Sequence, residues 1–110
     1  MMVGQPEREP VFRIGVVARM LEIHPQTLRT YERLGLVRPA RSAAGNRLYS
    51  PEHLERLRRI QRLTQDLGVN LAGVEIILDL LEKMEMLRRE TEREMEEMRR
   101  ELRRRLERQR

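Results

Sequence analysis

The chain has 110 residues and a mass of 13.2 kDa, a length that favours one compact domain with an appended element and excludes a second folded domain. Hydrophobic residues make up 39% of it and aromatic residues only 3%, so one chain can bury only a thin core, which favours small helices and a partner chain. Its zero cysteines exclude a disulfide scaffold, a thiolate zinc site and a cysteine nucleophile, its two histidines cannot build a metal centre alone, and no metal or cofactor is expected.

The net charge of +5 is distributed unevenly along the chain. Residues 13–62 hold eleven arginines against four glutamates, a net charge of +7, so the remainder sums to −2. All basic residues but Lys83 are arginine, a bias that suits bidentate contacts with phosphates and bases, although a GC-rich or thermophilic source would produce it too. No apolar run approaches the roughly 20 residues that span a bilayer, and no signal-peptide pattern is present, so the sequence predicts a cytoplasmic protein without membrane contact.

The N-terminal part is predicted to form a flexible arm followed by two short helices. Residues 1–12 combine two prolines and a glycine without periodicity, which is typical of a mobile arm. Apolar residues recur at helical spacing over 14–21 and predict the first helix. His24 is expected to cap a second helix that begins at Pro25 and ends near Gly35. Two helices joined by three residues predict a helix-turn-helix.

The second helix has two different faces. Leu28 and Tyr31 are expected to face inward, although the hydroxyl of Tyr31 at the rim of the helix is a further candidate for a phosphate contact. Polar side chains at offsets 0, 3, 4 and 7 share the outward face: Gln26, Arg29, Thr30 and Arg33. Such side chains reach base edges and phosphates, so this face is the predicted DNA-binding surface.

Residues 36–49 change in character and predict a β-hairpin with its tip at 42–46. Ser50 is expected to cap a third helix that has Pro51 at its first position and ends at Gly68. Its buried side is predicted at Leu54, Leu57, Ile60 and Leu67. A helix-turn-helix followed by a hairpin and a helix is a winged-helix order.

The C-terminal part is predicted to form one long helix, because no proline follows Asn70 and the last glycine is Gly73. Steps of three and four residues place apolar side chains on one seam, interrupted by Arg88 and Thr91. We assign dimerisation to the apolar seam positions Val74, Ile77, Leu81, Met84, Met95, Met98 and Leu102. The alternative is a solvated single helix held by Glu and Arg pairs at i,i+4.

Four motifs occur in order along the chain: IGVVAR, TLRTYERLGLV, NRLYS and LGVNLAGV. In this order they resemble the MerR family of bacterial transcriptional regulators over residues 13 to about 80. Within that family, residues 47–74 are most similar to the heat-shock repressor branch, which controls chaperone operons. No Gly-rich phosphate loop, nucleophile motif or apolar pocket with a perturbed group points to catalysis, so no catalytic residue is expected and the chain is not predicted to be an enzyme.

The resemblance implies a mainly α fold, in which a winged helix-turn-helix DNA-binding domain precedes a long C-terminal dimerisation helix that forms an antiparallel coiled coil. It implies a homodimer on double-stranded DNA with an inverted-repeat operator, and the chaperone DnaK as co-repressor. The DNA contacts that it implies are on the second helix and in the wing: Thr27, Arg29, Thr30 and Arg33, then Arg47 and Tyr49 as wing anchors. Arg41 in the wing is a further candidate.

These observations predict three segments: a flexible arm over 1–12, a MerR-type winged helix-turn-helix domain over 13–80 and a coiled-coil helix over 81–110. The main functional hypothesis is a dimeric, sequence-specific repressor of stress genes. Two alternatives stay open: an effector-gated activator, for which no sensing site is found, and a coiled-coil interaction protein that binds nucleic acid non-specifically. The polar residues Gln26 and Thr30 beside the arginines favour sequence-specific binding over the last alternative.

Overall fold

A computed structural model describes residues 6–109 of the chain, which divides after Leu71 into two compact units. This boundary lies nine residues before the predicted one at residue 80. The N-terminal unit holds three helices and a small sheet, and the C-terminal unit is one long helix. The predicted mainly helical winged fold is confirmed.

The first two helices form the predicted helix-turn-helix. Helix α1 covers Ile14–Leu21 and helix α2 covers Pro25–Arg33. Glu22 ends α1 in the left-handed conformation, with φ of 54°, so that its N–H bonds to carbonyls of the last turn. The predicted cap at His24 is confirmed, since its Nδ1 accepts the N–H of Gln26 at 3.0 Å. The two helices bury one another's apolar sides through Val17, Ala18, Leu21, Leu28 and Tyr31.

The N-terminal unit also contains a three-stranded antiparallel sheet. Its strands are β1 (Phe12–Arg13), β2 (Ala40–Arg41) and β3 (Arg47–Tyr49), and β3 lies between the other two in the order β1-β3-β2. Strands β2 and β3 are the predicted wing, and Arg41 pairs with Arg47 across it. Its tip is closed by the N–H of Ser42, which donates to the Asn46 carbonyl at 2.8 Å.

Part of the predicted arm has regular backbone contacts in the structure. Pro6–Arg8 form a 3-10 turn, the N–H of Val11 donates to the carbonyl of Tyr49 at 3.0 Å, and Phe12 belongs to β1. Backbone pairing with β3 therefore holds this segment on the domain, which a local sequence pattern does not reveal. Residues 1–5 of the predicted arm lie outside the described residues.

Helix α3 covers Pro51–Gln61 and continues as a π-helical turn over Arg62–Asp66. Ser50 and His53 cap its start reciprocally: the Ser50 Oγ accepts the His53 N–H at 3.1 Å, and the His53 Nδ1 accepts the Ser50 N–H at 3.0 Å. The prediction that Leu67 is buried is wrong, because it is 70% exposed. The wider π turn changes the direction of the side chains that follow it.

Helix α4 covers Leu71–Arg108, 38 residues that extend about 57 Å. Its surface carries ion pairs one helical turn apart, among them Arg88 with Glu85 at 2.7 Å and Arg88 with Glu92. The hydrogen bond from Arg88 lowers the pKa of Glu85 to about 2. Within residues 6–109, no helix is both long and apolar enough to cross a membrane.

Candidate nucleic-acid interface

The outward face of α2 carries a chain of hydrogen bonds among its polar residues. Arg29 Nη1 donates to the side-chain oxygen of Gln26 at 3.5 Å, and the hydroxyl of Thr30 donates to the Gln26 carbonyl at 3.0 Å. Arg33 Nη2 donates to the Thr30 hydroxyl at 3.3 Å. These bonds are exposed, and the two that the arginines donate are long, so the arginines can exchange these partners for base edges or phosphates.

Two other predicted contacts are on α2. Thr27, in the first turn of the helix, is half-buried, as is Thr30. Tyr31 is only 6% exposed, so most of its ring belongs to the core beneath the helix, as predicted for the inward face. The contact predicted at the rim would involve little of this side chain.

Both predicted wing arginines bind one carboxylate on α2. Glu32 lies 3.2 Å from Nη2 of Arg41 and also accepts a hydrogen bond from Nε of Arg47. Arg41 additionally donates to the carbonyl of Gly45 at 3.1 Å, where a φ of +85° lets the glycine turn the wing tip. The wing is therefore fixed to α2 by charge, and Glu32 was not named from the sequence as a partner of these arginines.

Tyr49 does not present its ring to DNA, and its prediction as a wing anchor is corrected by its burial. The residue is 0% exposed, and its hydroxyl is buried with no hydrogen-bond partner among the described residues. Burial raises the pKa of the phenol, with a smaller contribution from the charge of Glu32. Tyr49 is the largest fully buried side chain, so its role in this structure is to fill the core beneath the wing.

A groove of about 460 Å³ in the N-terminal unit brings further arginines to the same surface. Arg13 and Arg19 line it together with Arg29, Arg41 and Arg47. Sequence reasoning missed Arg13 and Arg19, because it sought DNA contacts only on α2 and in the wing. The signal available was their position around α1, where Arg13 immediately precedes the helix and Arg19 lies in its last turn.

The predicted dimerisation residues differ in their exposure. Val74 is 0% exposed within the single chain, so its assignment to a seam for a second chain is corrected. Ile77 is half-buried, while the other five are exposed: Leu81, Met84, Met95, Met98 and Leu102. On α4, Val74 lies roughly a quarter turn from Met84, which separates the buried side of the helix from its exposed apolar side.

The exposed apolar residues of α4 also fit an 11-residue period, beside the predicted heptad. Steps of four, three and four residues connect Leu80, Met84, Leu87, Thr91, Met95, Met98, Leu102 and Leu106. Thr91 is the one polar member, and every residue of this stripe is exposed. Arg88, an interruption in the predicted seam, falls beside the stripe and pairs with Glu85 and Glu92 instead. An 11-residue period gives 3.67 residues per turn, close to that of a straight helix.

A helix-turn-helix with a polar second helix, flanked by a wing rich in arginine, defines a winged helix-turn-helix DNA-binding regulator. The chain belongs to the MerR family: the model of the MerR HTH family regulatory proteins matches residues 12–81. The match therefore places the helix-turn-helix and the wing in a family of regulatory proteins.

Curated relatives share this region. A Streptomyces coelicolor protein provisionally named heat shock protein HspR is 48% identical over 82 residues, which are 74% of this chain and 54% of that one. The mercuric resistance operon regulatory protein of Bacillus cereus is 39% identical over 75 residues, covering 67% of this chain and 56% of its own. The chain thus spans about half the length of these relatives.

A solved structure shares the fold. It is the crystal structure of HiNmlR, a MerR family regulator lacking the sensor domain, bound to promoter DNA. The TM-score is 0.59 at 22% sequence identity, and the match covers 74% of this chain and 67% of that one.

Proposed function

We propose that the protein binds an inverted-repeat operator as a homodimer and represses heat-shock and chaperone genes, with DnaK as co-repressor. The observation that carries the proposal is the surface shared by α2, α1 and the wing, where Gln26 and Thr30 lie among arginines. Arginines alone would serve phosphate binding on any sequence, whereas amide and hydroxyl groups beside them suit the reading of base edges.

Charge supports the same surface. The residues up to Leu71 hold twelve basic and seven acidic side chains, a net charge of +5, whereas residues 72–110 hold eleven of each. The whole net charge of the protein therefore lies in the unit that carries the helix-turn-helix. Such a concentration attracts the DNA backbone and releases its counterions.

The apolar stripe of α4 supports the homodimer. Seven of its eight members are large apolar side chains exposed to water in the single chain. Burial of each of these side chains would stabilise a complex by about 1.5 to 3 kcal/mol, and a second copy of the chain carries the same stripe. A symmetric pair of helices covers both stripes at once.

Two features of α4 favour an antiparallel pair. The stripe is nearly palindromic about residue 93, so that Leu80 would face Leu106 and Met84 would face Leu102 in the partner. Charge agrees: residues 72–87 hold four acidic side chains and one basic, a net of −3, while residues 88–110 hold ten basic and seven acidic, a net of +3. An antiparallel arrangement places opposite charges side by side, and a parallel one places like charges together.

The heat-shock target rests on sequence similarity. The relative with 48% identity carries a heat-shock name, and its aligned region includes most of this chain. The co-repressor role of DnaK follows from the same branch of the family and belongs to the proposal.

The test is a footprint of the full chain on fragmented genomic DNA from its source. Protection of an inverted repeat upstream of chaperone genes is the expected result. Protection inside a promoter spacer would favour an effector-gated activator instead. Uniform weak protection without a preferred site would contradict sequence-specific regulation.

A further inference from the structure

Glu32 joins α2 to the wing by binding two arginines, Arg41 and Arg47, that the sequence predicts as DNA contacts of the wing. Its carboxylate lies 3.2 Å from Nη2 of Arg41 and accepts a hydrogen bond from Nε of Arg47, fifteen residues further along the chain. Arg41 and Arg47 also line the cationic groove. A carboxylate here therefore takes the position beside these two guanidinium groups that a phosphate oxygen would otherwise take.

We propose that Glu32 is an internal competitor of the DNA backbone. It neutralises Arg41 and Arg47 in the free protein, and a phosphate displaces it when DNA binds. This inference rests on the proposed DNA-binding function and adds to it a residue that sets the affinity for the DNA backbone. Displacement is feasible because the side chains of Glu32 and Arg47 are 22% and 25% exposed, so solvent and an incoming phosphate both reach the pair.

The competition has a definite consequence for recognition. Every duplex supplies phosphates, so Glu32 weakens binding to random DNA and to the operator alike. The base contacts of α2 strengthen binding to the operator alone. They must then supply the affinity that the weakened backbone contacts do not provide. Glu32 thus keeps the strongly cationic surface from holding any DNA that it meets.

The test compares Glu32→Gln with Glu52→Gln by titration of a fluorescent random duplex and of the operator. Glu52 is a matched control, because its carboxylate pairs with Arg8 at 3.6 Å and its replacement removes the same charge and one ion pair. The ion pairs of Glu32 are part-buried and still reach solvent, so freeing Arg41 and Arg47 in Glu32→Gln should tighten binding to both duplexes by about three- to tenfold. The gain should shrink as salt rises, because salt screens the internal pair. Glu52→Gln should show no comparable gain.

Equal affinities of the two variants, or weaker binding by Glu32→Gln, would overturn the inference and assign Glu32 to wing positioning alone. The NMR signal of the Arg47 Nε–H group in the wild type decides the matter even if the variant folds poorly. It should shift when the random duplex is added, because Arg47 changes partner, and an unmoved signal at saturation would overturn the inference as well. Failure of the wild type to bind any duplex would instead defeat the proposed function itself.

Discussion

At the scale of single residues, Arg29 is the side chain best placed to read a base. It is exposed at the centre of the α2 face, and its hydrogen bond to Gln26 is long at 3.5 Å. We expect Arg29→Ala to cost about 1 to 3 kcal/mol for each operator half-site and much less on random DNA, because only the operator supplies the matching base. Fluorescence anisotropy on both duplexes measures the difference.

Arg99→Ala is the control for this prediction, since it removes an arginine from α4 that pairs with Glu96. It should leave the ratio of operator to random affinity unchanged. If Arg29→Ala weakens both duplexes equally, Arg29 is a phosphate contact and specificity comes from Gln26, Thr30 or the wing.

His53 makes the stability of the N-terminal unit depend on pH. Burial lowers its pKa below the ordinary value of 6.5, and its Nδ1 accepts the Ser50 N–H only while the ring nitrogen is unprotonated. Because the folded state binds this proton less tightly than the unfolded chain, the stabilisation is present above pH 6.5. It is lost as pH falls through the lowered pKa.

We expect the wild type to lose about 1 kcal/mol on acidification from pH 7.5 to below that pKa, relative to His53→Gln. Glutamine serves the same position of a capping box and does not titrate in this range. Urea unfolding of both proteins across the pH series gives the comparison. Parallel curves for the two proteins would show that His53 is not the titrating group.

Residue roles were predictable from sequence where they depend on helical spacing, and not where they depend on distant partners. The outward position of Gln26, Arg29 and Arg33 follows from their offsets on one helix. Glu32 and Arg47 are fifteen residues apart and lie on a helix and a strand, so no local sequence pattern predicts their pairing. The burial of Tyr49 likewise depends on packing from several elements.

At the scale of elements, the surface of α4 allows a matched test of dimerisation. Leu87 and Met86 are neighbours with nearly equal exposure, 62% and 61%, but only Leu87 lies on the stripe. Met86 is about 200° round the helix from Met84. Leu87→Asp should convert the dimer to monomers in sedimentation velocity, because it places a charge in the apolar contact, while Met86→Asp should leave the dimer intact.

The same pair distinguishes the two periods. The heptad seam predicted from sequence passes through position 88, so an intact dimer in Leu87→Asp would favour that seam over the 11-residue stripe. Dissociation of both variants would point to a different contact surface.

Elements with strong local signals were predictable, and short ones were not. Helix α1 was predicted over 14–21, where it is found, since one apolar stripe and a following connection define it. Strand β1 has two residues and owes its existence to pairing with β3, far along the chain. The π-helical turn has no sequence pattern of its own, and it overturned the predicted burial of Leu67.

At the scale of the whole molecule, the proposed repressor should respond to DnaK. We expect purified DnaK to move the midpoint of a gel-shift titration on the operator to lower protein concentration, because a ligand of the bound state favours that state. An added unfolded protein that occupies DnaK should reverse the shift. If the midpoint is unchanged in both nucleotide states of DnaK, then DnaK is not a co-repressor. The proposal of operator binding would still stand.

The buried phenol of Tyr49 also makes the protein its own optical reporter. The chain has no tryptophan and two tyrosines, and both tyrosines are buried in the unit that carries α2 and the wing. The charges that act on Tyr49 are those of Glu32, Arg47, Arg41 and Arg29, the groups of the DNA-facing surface. Rearrangement of these charges changes the electric field at the ring. Intrinsic tyrosine emission, excited without any attached dye, therefore follows events at the DNA-facing surface in the unmodified protein.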